Sequence, residues 1–273
     1  MTDLRHLAPV NPELVWIGGP DAVRFLNDLI SQEIAAAEPG EVKRSLLLTP
    51  QGKLDHIFWV LRGEDEVGLL VEDGRGDALM STLSRYRIRV NVEIEKSQLE
   101  PWLVIGPVEV EVGSWSGDHS KLVADVSWPG LGRALMVGER PQLAVLDPEE
   151  YDLLRIEAGE PLMDVDVSDA TIPQETGLVR RSISFEKGCF LGQELVARLD
   201  SRGGRVNRHL RILRFDDRAP AAGTELVQEG RSVGVLTSAA NDKGLALLWR
   251  DVEPGDVVTA GDVAASVEAV PGE

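Results

Sequence analysis

Two apolar runs, Ser45-Leu46-Leu47-Leu48 and Ile57-Phe58-Trp59-Val60-Leu61, stand on either side of Thr49-Pro50-Gln51-Gly52-Lys53. Runs of this length suit buried strands, and Pro-x-Gly between them supplies the fixed φ and the conformational freedom that a reversal needs. A β-hairpin is predicted here. The same punctuation recurs along the chain. Leu14-Val15-Trp16-Ile17 ends at Gly18-Gly19, and Glu66–Val71, Trp102–Ile105 and Ala134–Val137 are further strand-like runs separated by Gly, Ser or Pro. From about Arg211 the pieces become shorter and closer, as in Gly223–Leu226, Ser232–Thr237 and Leu245–Leu248. That spacing predicts a small C-terminal β-barrel.

Helical spacing is confined to a few segments. Pro20 and Asp21 suit a helix start, followed by Ala22, Phe25, Leu26 and Leu29 on one face. Leu79, Leu83 and Tyr86 predict a second helix over 77–86. Asp147-Pro148-Glu149-Glu150 offers a capping carboxylate, Pro at the first helical position and Glu three residues after the cap, and Gly159 ends the run. Gln193 to Leu199 are good helix formers, with Leu195, Val196 and Leu199 expected to face inward. Many strands and few helices make an α+β chain.

At 273 residues the chain has room for two or three modules. Its formal net charge of −18 argues against a broad nucleic-acid surface, which needs clustered Lys and Arg. No apolar run reaches the ~18 residues of a membrane span, and the N-terminus has no signal-peptide pattern. A single cysteine leaves no internal disulfide, which fits a reducing cytoplasm.

That cysteine, Cys189, lies in Glu186-Lys187-Gly188-Cys189-Phe190-Leu191-Gly192-Gln193-Glu194-Leu195-Val196-Ala197-Arg198. Free cysteines are often inert packing. The alternative is a reactive thiol, favoured by Lys187 and by a helix beginning just after it. Elsewhere, Arg85-Tyr86-Arg87-Ile88-Arg89-Val90, if a strand, would put Arg87 and Arg89 on one face, either to receive an anion or to pair with Glu93 and Glu95 in solvent. Asp164, Asp166, Ser168 and Glu175 have calcium-loop offsets, but Asp169 stands where the turn needs Gly. Gly18-Gly19 lacks the rest of a phosphate loop. Arginines recur every third residue from Arg202 to Arg214, a basic island best read as an electrostatic seam between modules.

Lys187-Gly188-Cys189-Phe190-Leu191-Gly192-Gln193-Glu194, with Val196-Ala197-Arg198, resembles the signature of the YgfZ family of folate-binding proteins, relatives of the glycine-cleavage T-protein. Leu154-Arg155-Ile156-Glu157-Ala158-Gly159, Pro173-Gln174-Glu175-Thr176-Gly177-Leu178 and Gly19-Pro20-Asp21-Ala22 are similar to the same group. The resemblance implies a cloverleaf of two interwoven folate-binding modules over residues 1–205 and a barrel domain over 206–273. It implies tetrahydrofolate as cofactor, iron–sulfur client or assembly proteins as partners, tRNA modification among the processes served, and a cytoplasmic location. Glu175 would hold the pterin, Cys189 would be the reactive thiol, and Asp55, Arg87, Arg89, Lys187, Gln193, Arg198 and Arg202 would complete the folate site. T-protein carries adjacent carboxylates after the hairpin turn, whereas Asp55-His56 keeps one. That departure counts against the alternative of a folate-dependent aminomethyl or methyl transferase. A non-catalytic interaction module is the other alternative.

Overall fold

The Pro-x-Gly turn closes as the spacing predicts. In the computed structural model, which describes residues 5–72, 74–107 and 109–271, Thr49 N donates to the Lys53 carbonyl and Gly52 N to the Thr49 carbonyl, each at 2.8 Å. Gly52 takes the left-handed conformation that a side chain would strain, with φ of 75°. The chain divides into two units. The first holds Met1–Leu48, His56–Leu146 and Arg181–Leu191, and the second holds Thr49–Asp55, Asp147–Arg180 and Gly192–Glu273.

The first unit begins with β1 (His6–Leu7), β2 (Glu13–Gly18), α1 (Ala22–Leu29), β3 (Val42–Leu48) and most of β4 (Leu54–Arg62). There follow β5 (Glu66–Val71), α2 (Gly76–Tyr86), β6 (Glu93–Lys96), β7 (Pro101–Ile105), β8 (Trp115–Asp118), β9 (Lys121–Asp125) and β10 (Arg133–Val137). They form two five-stranded sheets, ordered β3-β4-β5-β2-β6 and β1-β7-β10-β9-β8. Phe25, Leu26 and Leu29 of α1 pack with Leu79 and Leu83 of α2 and with Val15, Phe58 and Leu69 of the first sheet. These are the apolar positions whose helical and strand periods the sequence displays.

The second unit contains α3 (Pro148–Glu157), a 3₁₀ turn at Pro173–Glu175, and α4 (Val179–Ser182), which runs on into the first unit. It continues with α5 (Gln193–Ser201), β11 (Arg208–Phe215), β12 (Glu225–Gln228), β13 (Arg231–Ala240), β14 (Lys243–Trp249), β15 (Val257–Ala260) and β16 (Val263–Ala269). The last six strands close into a barrel, β11-β14-β13-β12-β15-β16, filled by Leu213, Leu226, Leu236, Leu248 and Val258 among others. Closure removes the free edges an open sheet would carry. Ile156 of α3 packs with Leu210, Ile212 and Leu245 on its outside. Asp147 caps α3 as its sequence predicts, accepting from Glu149 N at 2.9 Å.

One expectation is overturned. Residues 87–90 are not a strand, because α2 reaches Tyr86 and Arg89 has φ of 57°. Left-handed backbone breaks the alternation that would have put Arg87 and Arg89 on one face. On α5 the expected inward face is present, with Val196 buried and Leu195 and Leu199 half-buried, while Glu194, Ala197, Arg198 and Asp200 are exposed.

A buried ionic knot fastens α3 to the barrel. Arg155, 1% exposed, donates to Asp166 Oδ2 at 2.7 Å, to the Glu160 carbonyl at 3.0 Å, to Ser238 Oγ at 2.8 Å and to Asp152 Oδ1 at 3.1 Å. Asp166, 2% exposed, also accepts from Thr237, Ser238 and the backbone of Leu162. Burial works against the Arg155 charge, but Asp166, Asp152 and Glu160 outweigh it and raise the pKa. Asp166, one of the carboxylates with calcium-loop spacing, is thus committed to a guanidinium. Breaking such a pair leaves an uncompensated buried charge. Arg155→Met should therefore cost about 3–5 kcal/mol by denaturant unfolding. A loss below about 1 kcal/mol would show that the knot is not structural.

Candidate functional site

The loop that carries Cys189 is held from beneath. Helix α1 ends with carbonyls that have no intrahelical partner, and the end of a helix dipole favours a cation. Lys187 supplies it. Its ammonium, on a residue only 8% exposed, donates to the carbonyls of Asn27 at 2.6 Å, Ile30 at 2.7 Å and Gln32 at 2.9 Å. Three N–H donors meet three acceptors. Burial pushes this group down to about 8, against the opposing fields of Glu33 and Asp28, so it remains mostly charged at pH 7.

Neighbouring bonds extend the attachment. Ser31 Oγ donates to the Ser182 carbonyl at 2.6 Å, Ser184 N to the Ser31 carbonyl at 3.0 Å, and Gln32 Nε2 to the Arg181 carbonyl at 3.2 Å. Beyond the cysteine, Phe190 is buried against the Lys187 ammonium at 5.5 Å, and Leu191 packs on the core of the first sheet. Between these fixed points Gly188 and Cys189 are exposed, and Cys189 is a free thiol. A Cβ on Gly188 would meet nothing within 4 Å, so this glycine leaves open space beside the thiol. Gly192, by contrast, needs its freedom, since its φ of 77° opens α5.

A second cluster lies within the second unit. The hairpin tip touches α5, where a Cβ on Gly52 would come within 2.9 Å of the Gly192 carbonyl and 2.8 Å of Leu195 Cβ. Leu54 N donates to the Thr171 carbonyl at 2.9 Å, and Gln174 Nε2 to the Val196 carbonyl at 3.2 Å. The strand bearing Asp55, the turn bearing Glu175 and the helix beginning at Gln193 are thereby drawn together. Asp55 and Gln193 are both half-buried. His56, the next residue on β4, is buried, and alternation points it to the opposite side from Asp55.

Glu175 is not a surface glutamate. It is 5% exposed, and Arg208 grips it in bidentate fashion, Nε to Oε1 at 3.0 Å and Nη2 to Oε2 at 3.1 Å. Ile172 N adds a bond to Oε2 at 3.3 Å. A carboxylate offers about four acceptor positions, so these three bonds leave it oriented with capacity for one further donor.

The remaining candidates are dispersed. All three Lys187 donors serve backbone carbonyls, so Lys187 is an anchor for the loop rather than a donor to a ligand. Arg198 is exposed and paired with Glu194 one turn earlier at 2.5 Å, and Arg202 is exposed at the end of α5. Arg87 and Arg89 are exposed on their turn. The threefold recurrence of arginines has no common face, because Arg208 and Arg214 share one side of β11 while Arg211 takes the other. Sequence reasoning missed the Arg208–Glu175 fork and the Lys187 anchor. The signal for the first was present, a lone basic island 33 residues after a loop glutamate, but residue spacing does not reveal such partners.

Comparison with known proteins agrees with this architecture. Residues 207–271 match the family described as CAF17, C-terminal beta-barrel domain. The chain is 30% identical over 285 residues to the human mitochondrial iron-sulfur cluster assembly factor IBA57, covering 93% of this chain and 80% of that protein. It is 26% identical over 294 residues to the tRNA-modifying protein YgfZ of Klebsiella pneumoniae, covering 94% and 89%. The crystal structure of the glycine cleavage system aminomethyltransferase T from Bartonella henselae superposes with a TM-score of 0.86 at 19% identity, over 99% of this chain and 86% of that one, and establishes the fold. The chain belongs to the family of IBA57 and YgfZ, built on the aminomethyltransferase fold.

Proposed function

We propose that this chain is a tetrahydrofolate-binding protein that supports the assembly or repair of iron–sulfur enzymes, with Cys189 as its reactive thiol. One observation carries the reading. The sole cysteine is exposed on a loop whose two sides are fixed by a buried ammonium and a buried aromatic ring. A packing cysteine has no use for that arrangement, whereas a thiolate that ligates metal or attacks needs access. One thiol supplies a single ligand to a cluster that takes four, so iron–sulfur cargo would be shared with a client or assembly partner.

The folate part rests on Glu175. Its carboxylate is buried, aimed by Arg208 and left with one acceptor position, which suits an N–H donor of a pterin edge. When bound, the reduced folate would supply one-carbon or reducing chemistry. Asp55 and Gln193, on segments tied to the Glu175 turn, would supply polar atoms to orient it. Arg198 and Arg202 would meet the glutamate tail by charge-assisted pairing. Aminomethyl transfer is disfavoured, because Asp55 is followed by a buried histidine and not by a second carboxylate.

We read residues 1–205 as the folate-binding region and 206–273 as the barrel domain. We further infer a cytoplasmic location and no direct nucleic-acid partner, from the single thiol and the charge of −18. No helix among the described residues is long and apolar enough to cross a membrane. The tRNA modification named for the Klebsiella relative would reach this chain through an iron–sulfur client.

Calorimetric titration with tetrahydrofolate tests the reading. Binding tighter than millimolar is expected, and Glu175→Ala, confirmed folded by its circular dichroism, should weaken it about 5- to 150-fold, the loss of one paired donor worth about 1–3 kcal/mol. Millimolar or absent binding, or binding unchanged in Glu175→Ala, would remove folate from the account.

The anchor generates its own expectation. Lys187→Met leaves three carbonyls without their donor and should destabilise by about 1–3 kcal/mol. Hydrogen exchange should quicken over residues 183–191 and at the end of α1 before it does in the barrel. Unaltered exchange in that loop would show that Lys187 does not hold it.

A further inference from the structure

A different part of the first unit has the form of a ligand site. One face of the sheet β1-β7-β10-β9-β8 floors a cavity of about 730 Å³, within the range of small-molecule pockets. Register places Val104, Ala134, Met136 and Val123 side by side on that face, since Ala134 pairs with Val104 and Met136 with both Trp102 and Val123. The floor is aliphatic. Trp102 shares the face, but the Arg140 guanidinium lies over its ring at 5.1 Å, so no open aromatic surface remains for a flat ligand to stack on.

The rim is cationic in a chain of −18. Arg5 and Glu109 both line the cavity and lie 3.9 Å apart, which cancels their charges locally. Lys121 and Arg140 also line it, and among the described residues neither has a carboxylate partner. Glu139 is the remaining charge on the lining. Two cations against one carboxylate leave the cavity net positive, and Lys121 stands on the same face as Val123 two residues on.

We propose that this cavity binds an extended aliphatic monoanion, with its chain along Val104, Val123, Ala134 and Met136 and its carboxylate between Lys121 and Arg140. The aliphatic floor selects the chain, and the surplus charge selects the head. Nothing in the folate or thiol reading requires this site, so the two stand or fall separately.

The test uses the full chain with ¹³C-methyl methionine, the Met136 signal being identified by its loss in Met136→Leu. Dodecanoate, titrated below its micelle concentration, should bind in the micromolar range and shift the Met136 methyl. Dodecyltrimethylammonium, with the same chain and opposite charge, should bind at least tenfold more weakly. The double variant Lys121→Glu, Arg140→Glu changes two polar rim positions and should invert that preference. No shift of Met136 with dodecanoate, equal binding of the two amphiphiles, or an unchanged preference in the double variant would each overturn the proposal.

Discussion

A lysine ammonium below the protein surface holds the loop that carries the exposed thiol. Lys187 satisfies three carbonyls at and beyond the end of α1, groups that an uncapped helix would leave facing an apolar interior. The same contact fixes the chain two residues before the thiol. On the far side Phe190 is buried against the Lys187 ammonium and Leu191 packs, half-buried, on the core of the first sheet. Gly188 and Cys189 stay exposed between the buried Lys187 and Phe190. A loop held at both sides loses little conformational entropy when a partner engages it, which is the general advantage of a preorganised site.

The second unit relies on paired charges of a different kind. Arg155 and Asp166 are nearly inaccessible and satisfy each other together with two hydroxyl groups of β13, so that α3 has one seating on the barrel. Arg208 does the same for Glu175, and because Arg208 opens β11 the barrel itself aims the carboxylate. The barrel contributes to the candidate site as well as enclosing its own core. Placing Gly52 against the start of α5 adds the hairpin to the same assembly, and only glycine fits that contact at that φ.

Much of this was legible in the chain because it is local. The Pro50-Gln51-Gly52 reversal, the Asp147 cap and the apolar spacing of α1 each involve residues within a few positions, where sequence separation and spatial separation agree. The barrel was legible through repeated short runs. The misreadings have one cause, which is that a residue's partner is set by the fold and not by its neighbours. Lys187 was expected to act on the thiol or the ligand, yet its charge serves carbonyls about 155 positions earlier in the chain. Arg87 and Arg89 were expected to alternate along a strand, and one left-handed residue removes the alternation. The arginines from 202 to 214 look periodic in sequence but are divided between a helix end, an irregular segment and two sides of one strand.

We propose that the anchored, exposed Cys189 thiol is what this fold would present to an iron–sulfur partner. Complementation by Cys189→Ser in cells lacking the wild-type chain tests it most directly, with iron–sulfur enzyme activity as the readout. A serine changes one exposed atom and should leave folding and tetrahydrofolate affinity at wild-type values. Such cells should lose iron–sulfur enzyme activity all the same. Full activity with Cys189→Ser would contradict it.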